Sequence, residues 1–484
     1  MKKSHILLSA LGAVLIGCAV AFFVFRGSSD AYLNALPRDM TSVARLDFKS
    51  FVGRADLGLK DILQLLRRQD EMDIRKLGID VQRPIYFFTS LSVGNFGLLA
   101  AVDDEDELTQ LLESYLAEGV VSEIVQRRGY SWVIIQNQWF LAFDSEKALL
   151  MGPAAAALED RLTNEMVALL DQKKDDSGRQ SPLFAALSQA DEPLAAVVAP
   201  EIMPAQARDY LRQYKVASQE DALMRFAVDA DDNELEIEGE LLTDKEAVLA
   251  ELARVEEVMR PVRGELIDHA HAENIVWITA NLDGLKLLEL MRSNMSVRTA
   301  LLGMNFIFDL DRLISALDGD LAIELTNASS FSQDLHIGNQ LNNLFLTAQV
   351  SSPDFLSGAA KWGNGLFGVQ PLSTNEFALQ VGEAPYYFGV VDKTFYLGSE
   401  RGIVAQRNEY LRQQRDDIRD CRFYATLHLP ELLRQMKVDE DAPPIIRQTE
   451  RLNIKIESAR ELKVEFVAPR GTNFIRELLS ISNE

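Results

Sequence analysis

The chain repeats itself, and that limits its fold more than any other feature. "PLAAVVAPEIM" (193–203) is an apolar run followed by Pro-Glu opening a helical pattern, and "FYATLHLPELL" (423–433) does the same. Pro200 and Glu201 match Pro430 and Glu431, a shift of 230. Proline suits a first helical turn and glutamate there complements the helix dipole, so each stretch reads as a strand-to-helix junction. Further matches follow in order: 46–51 with 280–285, 84–89 with 321–326, 98–108 with 346–356, "FDSEKAL" (143–149) with "LGSERGI" (397–403), and 233–238 with 460–465. The shift rises by 11 across the polar stretch "ASSFSQDLHIGNQLNN" (328–343) and drops by 24 around "LLDQKKDDSGRQSP" (169–182). Matches in register at this spacing mean a duplicated unit of roughly two hundred residues.

Each unit reads as strand, helix, two strands, helix, hairpin, helix, strand, helix, hairpin. "SWVIIQNQWFLAF" (131–143) and "YYFGVVDKTFYL" (386–397) are the clearest hairpins, with polar residues at the turn. Interleaved helices and hairpins favour an α+β fold: two duplicated units with mainly antiparallel sheets and flanking helices. The boundaries are a first unit at 40–242, a linking helix at 243–261 and a second unit at 262–484. In the linking helix Thr243 and Glu246 have capping-box spacing, and Val248, Leu249, Leu252, Val255 and Met259 share one face.

Before the first unit lie a tip at 1–5, an apolar segment at 6–26 and a linker at 27–39. Residues 6–25 carry no charge, and twenty helical residues span about 30 Å, the thickness of a bilayer's hydrocarbon. One expectation is therefore an N-terminal transmembrane helix. A cleaved secretory signal is disfavoured because "FFVF" follows the small residues "AVA" (19–21). "LIGC" (15–18) resembles the bacterial lipobox, which makes Cys18 the lipidation candidate, although the sequel "AVAFFVF" stays apolar. Lys2 and Lys3 favour a cytoplasmic N-terminus. Each fate puts residues 27–484 outside the cytoplasm, on a single-pass protein of the bacterial cell membrane facing periplasm or exterior, or on a lipoprotein.

Composition narrows the partners. The net charge of -24 repels phosphate backbones and argues against nucleic acid. Cys18 and Cys421 are the two cysteines, so the folded part has no internal disulfide and no CxxC motif.

Chemical motifs are weak. "GNGLFG" (363–368) has dinucleotide-loop spacing but follows a helical pattern instead of a strand. Asp229, Asp231, Asn233 and Glu240 stand at EF-hand spacing, but Glu234 replaces the turn glycine and the flanks are strands. "DDEDE" (103–107) reads as a solvated helix start and "DED" (439–441) as a loop. "DHAH" (268–271) offers a carboxylate and two imidazoles without a firm third ligand. His336 and His428 are isolated, and Cys421 reads as a buried thiol. No catalytic, cofactor-binding or metal-ligating residue is assigned, and no cofactor.

"AYLNALPRDMTSVARLDFKSF" (31–51), together with the repeated strand-helix units, resembles an uncharacterised family of bacterial envelope proteins, N-terminally anchored or lipidated and known as a domain of unknown function. The resemblance implies an extracytoplasmic place and carries no active-site residue. The expectation is a membrane-tethered, non-enzymatic binding or assembly module whose partner is an envelope protein, glycan or lipid. The alternative is an envelope hydrolase with a site assembled from distant residues.

Overall fold

The structure is a computed structural model that describes residues 30–54, 78–90, 95–231, 233–293, 295–305, 308–328, 343–363, 368–381, 384–403, 408–438 and 442–474. It is a mostly antiparallel sheet with helices, and the chain divides into two compact units: Met1–Val248 with Arg470–Glu484, and Leu249–Pro469.

The first unit holds β1 (Met40–Leu46), β2 (Ile85–Ser90), β3 (Phe96–Ala101), β4 (Val125–Arg127), β5 (Tyr130–Ile135), β6 (Trp139–Phe143), β7 (Lys147–Gly152), β8 (Leu194–Val198), β9 (Leu223–Asp231) and β10 (Glu234–Leu242). Antiparallel pairing sets the order β10-β9-β8-β1-β2-β3-β7-β6-β5-β4. The second unit opens with the two-residue β11 (Met259–Arg260). It continues with β12 (Val276–Asp283), β13 (Leu317–Leu325), β14 (Leu344–Val350), β15 (Val369–Ser373), β16 (Glu376–Val381), β17 (Ala384–Val391), β18 (Thr394–Gly398), β19 (Phe423–His428), β20 (Arg451–Ser458) and β21 (Glu461–Val467). Its order is β21-β20-β19-β12-β13-β14-β18-β17-β16-β15. Strand for strand this repeats the first unit, with β12 in the place of β1. In both, the first long strand is central and is flanked by a strand made soon after it and one made much later.

The structure differs from the sequence reading in three respects. Where one hairpin was expected, each unit has a four-strand meander, β4–β7 and β15–β18. β4 is only three exposed residues long, and Pro371 in β15 falls at a register shift, the kind of interruption sheets tolerate at edges. Second, "FDSEKAL" is not the partner of "LGSERGI". It is the β6–β7 turn, where Asp144 accepts from the backbone N–H groups of Glu146 and Lys147 at 2.8 and 2.9 Å. By strand order its counterpart is the β17–β18 turn, whose Asp392 and Lys393 have φ of 46° and 65°. Gln136 and Asn137 in the β5–β6 turn have φ of 48° and 59°. Two left-handed residues in succession are what a two-residue hairpin loop needs to match strand twist. Third, the fold expectation is corrected over its N-terminal transmembrane helix: among the described residues no helix is long and apolar enough to cross a membrane. The segment 6–26 that prompted that expectation, with Cys18, lies outside the described residues.

Helices form where caps and apolar spacing coincide. Asp104 caps Glu105–Leu116, accepting from the N–H groups of Asp106 and Glu107 at 2.9 and 3.0 Å. The acidic run "DDEDE" thus supplies an N-cap and a first turn matched to the helix dipole. Leu108 and Leu112 of that helix bury against Val133 and Phe143. Glu159–Leu170 turns Leu162, Met166 and Leu169 into the larger core with Val43, Phe88, Leu99 and Met151. The linking helix spans Glu246–Val258. Its expected capping box is replaced, since Thr243 accepts from Lys245 N–H at 3.1 Å and donates to the Asp221 carbonyl at 2.7 Å. Val248 and Leu252 are buried, whereas Leu249 is exposed. Beyond β21, Phe474 belongs to the first unit and is fully buried.

Phe88 lies opposite Gly97 across the β2–β3 ladder, and a Cβ at Gly97 would overlap its ring. Gly97→Ala should therefore cost about 1–3 kcal/mol by overpacking, read as a lower urea midpoint with unchanged slope.

Candidate functional site

Two regions of the second unit gather chemistry-bearing side chains. The first grows from β13, whose Asp320, Ala322 and Glu324 alternate onto a buried face. Residues 262–275 run irregularly towards β12, through one short turn at Leu266–His269, so their N–H groups need partners other than a sheet ladder. Asp320 Oδ1 accepts from Arg263 N–H at 2.9 Å and Oδ2 from Glu265 N–H at 3.2 Å. Glu324 Oε2 accepts from His271 N–H at 2.9 Å and from the Asn274 amide at 3.4 Å, and lies 3.3 Å from His271 Nδ1. Asn408 completes the network. Its amide donates to the His271 carbonyl at 2.9 Å and to Asn274 Oδ1 at 3.2 Å, while its own Oδ1 caps the helix Glu409–Gln413 through Leu411 N–H. The His271 ring packs on Phe345 with centroids 4.1 Å apart. Burial raises the Asp320 carboxyl above its ordinary range against the pull of the N–H groups it accepts from.

This arrangement divides the "DHAH" motif. Asp268 turns away to Arg412 and Arg415, at 2.7 and 2.8 Å. The Arg415 guanidinium, with Arg412 beside it, holds the Asp268 carboxyl below the usual carboxylate range. His271 is committed to Glu324. The space beside the His269 and His271 rings has a volume of about 20 Å³, room for one water and not for a substrate. The sequence reading missed Asp320 and Glu324. Their signal was two acids four residues apart in a strand otherwise apolar on that face, "DLAIE".

The other motifs also separate. Asp229 and Glu236 are cross-strand neighbours in the β9–β10 hairpin, while Glu240 faces Arg225 and pairs with it. Four strand residues separate those positions, about 13 Å, so no loop wraps a calcium ion. The Cys421 thiol is buried, donates to the Asp417 carbonyl at 3.1 Å and is pushed up to about 12 by burial. Burial, then Arg451, lowers His428. His336, residues 364–367 of the glycine-rich stretch and "DED" (439–441) lie outside the described residues.

The second region is an open groove. Asp283 ends β12 and accepts from Lys286 N–H at 3.2 Å, starting the helix Gly284–Ser293. Asp47 does the same after β1, accepting from Ser50 N–H at 3.0 Å. Gly284 is required there because a Cβ would overlap the Ile314 carbonyl. Met295–Met304 and Leu310–Ser315 follow as helices. Leu288, Leu301 and Ile314 form their shared core. Beside that core, Leu285, Glu289, Arg292, Arg312, Ser351 and Asp354 line a space of about 570 Å³ that also reaches the buried Leu288 and Phe355. Past the Arg292–Asp311 ion pair a further space of about 300 Å³ is lined by Arg298, Leu301, Leu302 and Asn305. Arg312 is fixed by the Asp354 carbonyl at 2.9 Å and Ser357 Oγ at 3.2 Å. Leu285 lines the first space and is 68% exposed, and Leu302 lines the second and is 61% exposed. Nothing in the sequence announced this groove, because it depends on how three short helices pack.

A family model described as a domain of unknown function (DUF4836) matches residues 32–449. No curated protein matches. Among solved structures, crystal form I of TP0453 matches with 11% identity and a TM-score of 0.28, covering 48% of this chain and 88% of that one. Crystal form III gives 12% and 0.27, covering 48% and 89%. At such TM-scores the likeness carries no argument.

Two outcomes test these contacts, one in the buried network and one at the Asp268 ion pairs. Glu324→Ala should cost about 2–4 kcal/mol by leaving the His271 and Asn274 donors unpaired, with Glu324→Gln milder, both read by urea denaturation. Asp268 titrates lower folded than unfolded, so its contribution is present above the ordinary aspartate value of about 3.9 and lost as pH falls through the folded value. Asp268→Asn should lower the urea midpoint at pH 7, by under about 1 kcal/mol for a half-exposed pair, and converge with the parent towards pH 2.

Proposed function

The chain belongs to the DUF4836 family, a domain of unknown function, and from that premise we propose that it is an exported binding or assembly protein of the bacterial envelope. It is tethered to the membrane through its N-terminal segment and carries out no reaction of its own. Its contact surface is the open space beside Leu285. One contrast carries this reading: the open region has apolar edges and room for a ligand, whereas the buried His271–Glu324 pair has room for one water. A hydrolytic site needs its titratable groups within reach of a substrate, and this pair is spent on holding backbone.

The charge-free segment 6–25, followed by a body of net charge -24, supports export. An acidic body gains nothing from lying on anionic lipid, so the tether supplies the membrane attachment and the groove the recognition. Cys18 is the residue at which acylation would make that tether.

Protease supplied to the outer face of the inner membrane in spheroplasts should digest the body of the membrane-fractionated protein. Intact-mass measurement of its N-terminus reads whether Cys18 is acylated. A body that stays protected while the cells remain sealed overturns the envelope placement.

A further inference from the structure

The space beside His269 and His271 gathers lone pairs and almost no donors. Glu324 Oε2 only accepts, so the proton of the neutral His271 ring sits on Nδ1, 3.3 Å away, and Nε2 is left as a lone pair. His271 is 9% exposed, and its Nε2 is buried with no hydrogen-bond partner among the described residues. His269 Nδ1 is buried and unpartnered in the same way, and both residues line the space of about 20 Å³. Glu400 lies on that lining at the surface, with no ion pair among the described residues. Tyr396 spends its O–H on Glu376 at 2.9 Å, which leaves Thr347 as the one side-chain hydroxyl of the lining able to donate.

Two kinds of occupant suit so small a space. A water can donate to both nitrogens, but it then has no proton left for a carboxylate and brings no charge to it. A divalent cation takes a lone pair from each imidazole and is balanced by Glu400. A histidine that ligates a metal through one nitrogen donates its other N–H to a carboxylate or carbonyl, and the His271–Glu324 contact has that form. Two imidazoles, one carboxylate and a water are four ligands, the number Zn2+ takes.

We propose that His269 Nδ1, His271 Nε2 and the Glu400 carboxylate hold one divalent transition-metal ion of the zinc class, with Glu324 orienting His271. Glu400 reaches the ion from the surface, which is also its way in. The space has no room for a substrate, so the ion is structural: it ties the segment before β12 to the turn after β18. The site is separate from the contact surface beside Leu285 and does not depend on it.

The probe is Zn2+ alone, added to the untagged full-length chain in detergent after chelator treatment. Uptake is read by calorimetry and by metal content after dialysis. One ion per chain is expected, with imidazole scattering in its X-ray absorption spectrum and a raised urea midpoint. His269→Gln, whose side chain lies outside the Glu324 network, should weaken uptake by at least about tenfold, the lower end for a change in a metal's surroundings, and so should Glu400→Gln. Asp268→Asn, in the same motif but turned to Arg412 and Arg415, should leave uptake unchanged. Uptake that His269→Gln does not weaken overturns the site, and so does a parent chain that takes up no ion, which leaves water as the occupant.

Discussion

Backbone that leaves a sheet still has to place its N–H groups, and the second unit meets that demand with two carboxylates on one strand. Asp320 and Glu324 reach from β13 to the irregular segment before β12 and accept from Arg263, Glu265 and His271. Burying a carboxylate is costly unless several donors converge on it, which is the case for both. The clamp fixes where β12 starts, and β12 is the central strand on which β13 and β19 pair. The helix Gly284–Ser293 leaves from the end of that strand, so one wall of the groove takes its position from the same network.

The two units share a strand order and differ in how they fill it. In the last hairpin of the first unit, Arg225 pairs with Glu240 across the ladder. In the last hairpin of the second, Asn453 faces Glu465 and donates to it at 3.1 Å, while Lys455 pairs with the same carboxylate. The ion pairs sit at different positions of the two hairpins, since Glu465 matches Glu238 and Glu240 matches Val467. The first unit's central strands bury Val43, Ala195 and Val197, where the second buries Trp277, Tyr424 and Thr426. Trp277 Nε1 and Tyr424 Oη are buried without a hydrogen bond. Among the described residues the first unit's central strand has one such atom, Arg45 Nε.

Much of the architecture was readable because it rests on local chemistry. Pro200 and Pro430 mark helix starts after β8 and β19, and the hairpins at 131–143 and 386–397 stand where alternation and polar turns placed them. The meanders were harder. β4 is too short to show a period, Pro371 conceals β15, and the β6–β7 turn shares a Ser-Glu pair with a segment that is not its counterpart. The site was hardest. An acid such as Glu324 in an apolar strand reads as outward-facing until the segment it holds is known, and "DHAH" reads as one cluster when its side chains diverge to Arg412 and Glu324. The groove combines residues from three helices and a turn, a juxtaposition that no periodicity encodes.

Phe474 gives the chain an order of completion. It is buried in the first unit yet follows β21, the last strand of the second. A ribosome therefore finishes the second unit's strands before it supplies this piece of the first unit's interior. A nonsense change just after β21 would spare every described strand and still remove a buried residue of the earlier half.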